Sequence, residues 1–496
     1  MKVPLGQYLP DLPALANPGA IVAKNVVPRT AKSYGPLSDL LVFTSGLTAR
    51  CQGAATGKDT AGNVLNFAGD ATKLYTLSSA AWNDASKVGG YSTGIDSWWR
   101  FAKFGDRMIA TNYDDSIQSF IMTTSSDFAD LAAAAPRARY IAIIKDFVMV
   151  GNTYDSTWGA KPNRVWWPAI DDPTDWPVPG TSDAASKQSD YQDLPLGGWV
   201  QGIISAVGGS HGAVFMEDAI YRVVYEGPPT IFAFQEVELE RGTNAPGSLI
   251  NVGAVAFYLS RDGFYAFDGS RSEPIGSSKV DRSFYADLDE SYTYRIVSAA
   301  DPVNKLVMWA YPGSGHSGGN PNKVLIFNWQ VGSWSYAEIE TQFIFSIFSP
   351  GYTLDGLDAT GYNMDTLPFS LDSRFWTSGN LRLGGFNNAG AMGYLNGANL
   401  EGTVETGEFD SGTGQRLFVR GVRPLVDGGT VNTAIGYRDT PTAAVNYNAG
   451  TAPGVDGMCP QRVDARYLRA RLTIPAGSTW SHAQGIEADA VPTGAR

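Results

Sequence analysis

The chain has 496 residues, of which 17% are charged, and it is rich in glycine (56), tyrosine (23), phenylalanine (23) and tryptophan (13). Length alone allows roughly three domain-sized units, and the glycine and aromatic content with no long runs of Ala, Glu, Lys and Leu predicts all-β structure rather than a helical bundle. The formal net charge of −12 argues against a protein that grips phosphate, which needs a basic stripe.

In chain order, residues 1–45 read as an extended N-terminal arm. Pro4, Pro10, Pro13, Pro18, Pro28 and Pro36 recur too closely for a helix or a central strand. The same prolines break any 7–15-residue apolar stretch, so no signal peptide is expected. No run of about 18 apolar residues is present, and no membrane anchor is expected. The expectation is a soluble chain made in a cytoplasm, with Cys51 and Cys459 as free thiols.

From residue 46 short strands follow one another: LNFAGD, KLYTLSS, SWWRFAKFGDRMIATNYDD, ARYIAIIKDFVMVGNTYD and NRVWWPAI. DFADLAAAAP (127–136) is the helix-like exception, with Ser126 as a cap and Pro136 as a stop. A strand–turn–strand unit then recurs. KLYTLSSAAWNDAS (73–86), DAIYRVVYEGPPTIFAFQEVE (218–238), RDGFYAFDGSRSEPIG (261–276) and KVLIFNWQVGSWSYAEIE (323–340) share the plan. Between them GGSHGAVFME, GAVAFYLSR and NKLVMWAYP read as inner strands. Units of about four short strands repeating at these spacings predict a β-propeller of five to seven blades over 46–400, each recurring pair being the outer part of one blade. A pair of β-sandwiches is the alternative. Residues 401–496 change texture and read as a separate β-sandwich-like domain. In ARYLRARL, Leu468, Ala470 and Leu472 share one face, while Tyr467, Arg469 and Arg471 share the other, either a solvated surface or a docking surface for an acidic neighbour.

Motifs for chemistry are weak, and no catalytic, cofactor or metal residue is assigned. GHSGG (315–319) matches a nucleophile-elbow pattern at Ser317, but it sits in a glycine-rich hairpin loop that cannot hold a strained elbow. GAATGK (53–58) is one residue short of a phosphate-binding loop, has Asp59 where Ser or Thr should stand, and reads as an ordinary loop. His211, His316 and His482 are isolated and give no zinc spacing. Acid pairs occur at Asp114–Asp115, at Asp171–Asp172 with Asp175, and at Glu217–Asp218; a glycosidase reading would need one of them to flank a sugar. Acids at turns more often hold the backbone. The tryptophan pairs Trp98–Trp99 and Trp166–Trp167 could stack on sugars, although alternation should bury one of each.

Three patches, YLPDLPALANPGAIVAKNVVP, DGFYAFDGSRSEPIGSSKVDRSF and ARYLRARLTIPAGSTWSHAQGIEADAVP, resemble the tail hub or nozzle, also called packaged-DNA stabilisation, proteins of short-tailed double-stranded DNA phages. The resemblance implies a non-enzymatic structural virion protein with a β-propeller per subunit, synthesised in a bacterial host. It further implies a homo-oligomeric ring, a hexamer, below the portal and adaptor, with tail fibre, spike or needle proteins beside or below it. DNA would pass through its lumen without sequence-specific binding, and no cofactor is implied. The proline-rich arm would then clasp a neighbour. A receptor- or carbohydrate-binding tail protein is the alternative function, and a glycoside hydrolase the third.

Overall fold

The computed structural model describes residues 1–15, 17–209, 211–348, 381–412 and 414–494. Strand accounts for 53% of it and helix for 5%, so the structure is all-β. Residues 349–380, inside the stretch expected to form a propeller, lie outside the described part.

Six four-stranded antiparallel sheets, and a seventh set formed by the first four strands of a nine-stranded sheet, make up most of the described chain. Their first strands are Gly53–Lys58, Arg100–Phe104, Arg137–Ile144, Val200–Val207, Ile250–Val252, Val297–Asp301 and Phe343–Phe348. Each first strand lies against the next, and the last lies against Gly53–Lys58. The strands are short because turn residues interrupt them. Phe104 pairs with Arg107 across a two-residue connection, and Gly105 there takes a left-handed φ of 57° that glycine adopts without strain. Such an arrangement of small sheets is compatible with a propeller-like fold.

Apolar side chains fill every junction between neighbouring sheets. Phe67, Leu74, Met108 and Phe120 form the core between the first and second sheets. Ile109, Val148 and Trp166 continue it between the second and third, and Met149, Trp167, Val214 and Tyr221 between the third and fourth. Phe215, Tyr258 and Phe267 join the fourth to the fifth. The cycle closes where Phe345, Phe386 and Tyr394 of the last sheet meet Ala68, Tyr75 and Trp82 of the first. A four-stranded sheet alone leaves apolar side chains wet on both faces, and stacking removes both exposures at once.

The recurring pairs read from the sequence are the third and fourth strands of their sheets: Leu74–Ser78 with Ala81–Asp84, Ala219–Gly227 with Ile231–Leu239, Gly263–Phe267 with Ser272–Pro274, and Lys323–Asn328 with Ser333–Glu338. The expected inner strands are the second ones, His211–Met216, Val255–Ser260 and Leu306–Tyr311.

Three expectations need correction. Residues 127–136 form no helix. Ala129–Asp130 is a short fourth strand paired with Gln118 and Ser119, because Phe128 is drawn into one inter-sheet core and Leu131 into the next. Two cores three residues apart override the helix propensity of the alanines. GAATGK is not a loop but the strand Gly53–Lys58. It is poor in bulk because it is crowded: a Cβ on Gly53 would lie 2.4 Å from the Trp99 carbonyl oxygen. Finally, residues 1–45 are extended as expected, but their strands pair within three sheets of this same chain rather than forming an arm laid over a neighbour. Ser38–Gly46 is the fourth strand of the last sheet, running antiparallel to Ala391–Asn399 with Leu41 opposite Tyr394. Ala20–Lys24 bridges Ser333–Glu338 to Gly402–Thr406. Lys2–Pro4, Val26–Thr30 and Ser33–Pro36 join a six-stranded sheet with Ala483–Gly494, Arg416–Val426 and Cys459–Ala465.

That six-stranded sheet faces the far half of the nine-stranded one, made of Gly402–Thr406, Tyr467–Ile474, Asn432–Arg438 and Asn446–Tyr447. Val419, Val422 and Ile486 from one layer pack with Leu468, Ala470 and Leu472 from the other, as the alternation of ARYLRARL requires.

Candidate functional site

The segments that lead into the first strands converge on one side of the cycle of sheets and enclose a cavity of about 260 Å³. Trp98 and Arg100 enter from the start of the second sheet, Arg139 and Tyr140 from the third, Trp199 and Gln201 from the fourth, and Asn244 and Tyr294 from the loops before the fifth and sixth. Four elements are fixed firmly. The Trp98 indole donates from Nε1 to the Tyr294 carbonyl at 2.9 Å, and the Arg50 guanidinium lies over its ring at 5.0 Å. Arg295 holds Asp96 through Nη2 at 2.7 Å and Nε at 3.2 Å. The Tyr140 hydroxyl donates to Gln201 Oε1 at 3.2 Å, while Gln201 donates to Glu217 Oε1 at 3.3 Å. Glu217 in turn accepts the backbone N–H of Trp199 at 3.1 Å.

The charges of the cavity are unequal. Asp96 is its one acidic lining residue, and Arg295 neutralises it. Arg139 lies over the Tyr113 ring at 4.3 Å without a carboxylate partner among the described residues. Arg100 is half-buried, and its side chain has neither a hydrogen bond nor an ion pair among the described residues. Burial pushes its pKa below the usual arginine value, and burial likewise pushes the Tyr140 hydroxyl up. Trp199 stays 53% exposed at the rim.

The residues singled out from sequence fall elsewhere, apart from Trp98 in the lining and Glu217, which supports Trp199 and Gln201 from behind it. His316 has both ring nitrogens occupied: Nε2 is 2.9 Å from Asp289 Oδ2, and Nδ1 accepts the Gly319 N–H at 3.0 Å. That leaves no nitrogen to take a proton from Ser317. The histidine contact holds the Asp289 carboxyl below its usual range. His482 meets Ser33 Oγ at 3.1 Å, and among the described residues no group of His, Cys, Asp or Glu has metal-site geometry. Members of each acid pair go separate ways. Asp114 accepts from Ser97 and Asp115 from Asn112, whereas Asp172 caps Thr174 and Asp175 pairs with Lys187 at 2.8 Å. Glu217 supports Trp199, and Asp218 pairs with Arg261.

Trp166 and Trp167 are both buried, in two different cores, because each sheet packs on both faces; neither can stack on a sugar. Trp99 is buried as well, donating to the Asp70 carbonyl at 2.9 Å. On the arginine face of ARYLRARL the two guanidiniums are met by a carboxylate of the same chain, although Arg471 stays 38% exposed. Arg469 and Arg471 reach Glu405 at 2.9 and 2.7 Å, and Glu405 is 1% exposed. Sequence reading passed over Arg100, although it stands in the quoted run SWWRFAKF; a missing partner is a three-dimensional relation that no run of letters displays.

No family model and no curated protein matches the chain. Among solved structures, the extracellular domain of a putative hybrid two-component system from B. thetaiotaomicron aligns over 83% of this chain at 11% identity and a TM-score of 0.41. This chain spans 47% of that protein's length. The computationally designed Ika8 protein aligns over 72% of this chain and 99% of its own at 10% identity and a TM-score of 0.36. A chain of the Mitotic Checkpoint Complex aligns over 73% of this chain and 93% of its own at 7% identity and a TM-score of 0.37. Among the described residues no helix is long and apolar enough to cross a membrane.

Proposed function

We propose that the chain is a structural component of a phage tail, a nozzle or hub whose subunits form a closed ring below the portal and adaptor. In this reading the seven stacked sheets are the blades of a seven-bladed propeller, and the two facing C-terminal layers are a sandwich-like accessory domain. The subunit is non-enzymatic, and the virion genome passes through the lumen of the ring, not through the propeller.

The observation that supports it most is where the three patches of family likeness come together. Tyr8 and Ala20 from the first, Phe264 and Phe284 from the second, and Leu468 and Ile486 from the third belong to one continuous core. Asp11 strengthens the junction by accepting the backbone N–H groups of Arg282 and Ser283 at 2.9 and 2.7 Å. Segments from both ends and the middle of the chain thus build one junction between propeller and sandwich, as a rigid wall element requires. The net charge of −12 suits a wall along which DNA moves without sticking.

Immunogold labelling of particles with antibody to this chain tests the reading. Gold on the axis between head and tail tip is expected. Gold on peripheral fibres would overturn it in favour of receptor or carbohydrate binding, a role the cavity at Trp199 favours.

A further inference from the structure

The cavity at the entry side of the sheets is prepared for a ligand that the nozzle role does not call for. Several well-buried arginines of this chain have their charge answered by a carboxylate: Arg164 pairs with Asp193, Arg295 with Asp96 and Arg438 with Glu408, while Arg50 gives its hydrogen bonds to the Cys51 and Ile95 carbonyls. Arg100 is the contrast. A half-buried guanidinium without a counter-charge is partly desolvated, and an anion that shares its hydrogen bonds offsets that cost. Arg139 stands on the neighbouring first strand and brings a second cation to the same space. With Asp96 already taken by Arg295, the lining carries a net positive charge inside an acidic protein.

The rest of the lining narrows the ligand further. The planar fork of a guanidinium matches two carboxylate oxygens. Trp199 offers an exposed aromatic face at the rim, with its backbone anchored by Glu217, and Gln201 and Asn244 offer amides for hydroxyl groups. The volume of about 260 Å³ lies just below the roughly 300 Å³ at which drug-sized pockets begin, which suits one ring held inside.

We propose that this cavity binds a single carboxylate-bearing sugar, its carboxylate received by Arg100 and Arg139 and its ring laid against Trp199. The site belongs to the isolated subunit, so it stands or falls separately from any position in a particle.

Isothermal titration and tryptophan fluorescence of the intact chain with glucuronate and galacturonate test it, with glucose and glucose 6-phosphate as comparators. Saturable binding of a uronate but not of glucose is expected, weakened about ten- to a hundredfold by Arg100→Gln, as loss of a charged hydrogen bond implies. Trp199→Ala should remove most of the fluorescence change, leaving what Trp98 in the lining reports. Arg139→Gln, at an exposed position, gives the same reading should Arg100→Gln fail to fold. Absence of uronate binding up to about 50 mM, far beyond millimolar affinity, overturns the proposal. So does glucose binding as tightly as glucuronate, or glucose 6-phosphate binding more tightly.

Discussion

Glu405→Leu is expected to be among the most damaging single substitutions in the C-terminal layers, for a reason that can be worked through. Glu405 sits on Gly402–Thr406, directly opposite Arg471 across the sheet, and is 1% exposed. One carboxylate oxygen meets Arg471 at 2.7 Å, while the other meets Arg469 at 2.9 Å and accepts the Tyr447 hydroxyl. Tyr447 also lies beneath the Arg471 guanidinium at 3.8 Å, in space left by Gly436, where a Cβ would come within 2.8 Å of the ring. Removing the carboxylate strands two cations. Breaking a buried pair costs about 3–5 kcal/mol. Arg471 remains 38% exposed and Arg469 17%, so water recovers part of the loss and the lower end, about 3 kcal/mol, applies. At about 2.1 cal/mol/K of unfolding entropy per residue, a unit the size of this chain shifts by about 1 °C per kcal/mol, so the transition should fall by about 3 °C in scanning calorimetry. Adding Arg471→Leu removes one stranded charge, so the double variant should melt above the sum of the two single losses. A fall of less than about 1 °C, or strict additivity, would refute the assigned role of Glu405.

Phe43→Ala tests closure by the N-terminal strand. Phe43 is 4% exposed against Tyr394, and its loss should cost about 3–5 kcal/mol in thermal melts of the isolated subunit, whereas an arm that packs only on a neighbouring subunit would give no change there. Asp281 has its carboxyl pushed up to about 6 by burial, with Asp11 and Asp262 adding to the effect. The folded state therefore holds this proton more tightly than the unfolded chain, and the associated stability is present below about pH 4 and lost as pH rises through 6. Asp281→Asn should raise the melting temperature at pH 7 and leave it unchanged at pH 4; equal shifts at both would refute the assignment. Burial pushes the Cys51 thiol up to about 12 and Cys459 upward too, and both are free. A thiol reagent should label neither in the native chain and both after denaturation.

Local patterns carried much of the architecture. Alternation bounded by turn residues is a short-range signal, and it located third and fourth strands such as Leu74–Ser78 with Ala81–Asp84. Long-range pairing left no such trace. Nothing in SDLLVFTSG announces a partner at Ala391–Asn399, and the surrounding prolines made the segment look unattached. The same gap explains the arginines: Arg469 and Arg471 point outward by parity, but a carboxylate on a different strand meets them there. Parity held for Trp98–Trp99, where Trp99 is the buried member, but misled at Trp166–Trp167, because it assumes one wet face and that sheet has none.

The strand Ser38–Gly46 also sets a schedule for synthesis. It leaves the ribosome about 350 residues before its partner, and the sheet it completes must wait for residues 391–399. At about 5–20 residues per second that interval is roughly 20–70 s, during which LLVF stands as an unsatisfied edge. Such an edge pairs readily with any other that is present, including the same segment of a neighbouring nascent chain. Expression yield should therefore depend on translation speed and on what is fused ahead of residue 38, more than on the stability of the finished fold.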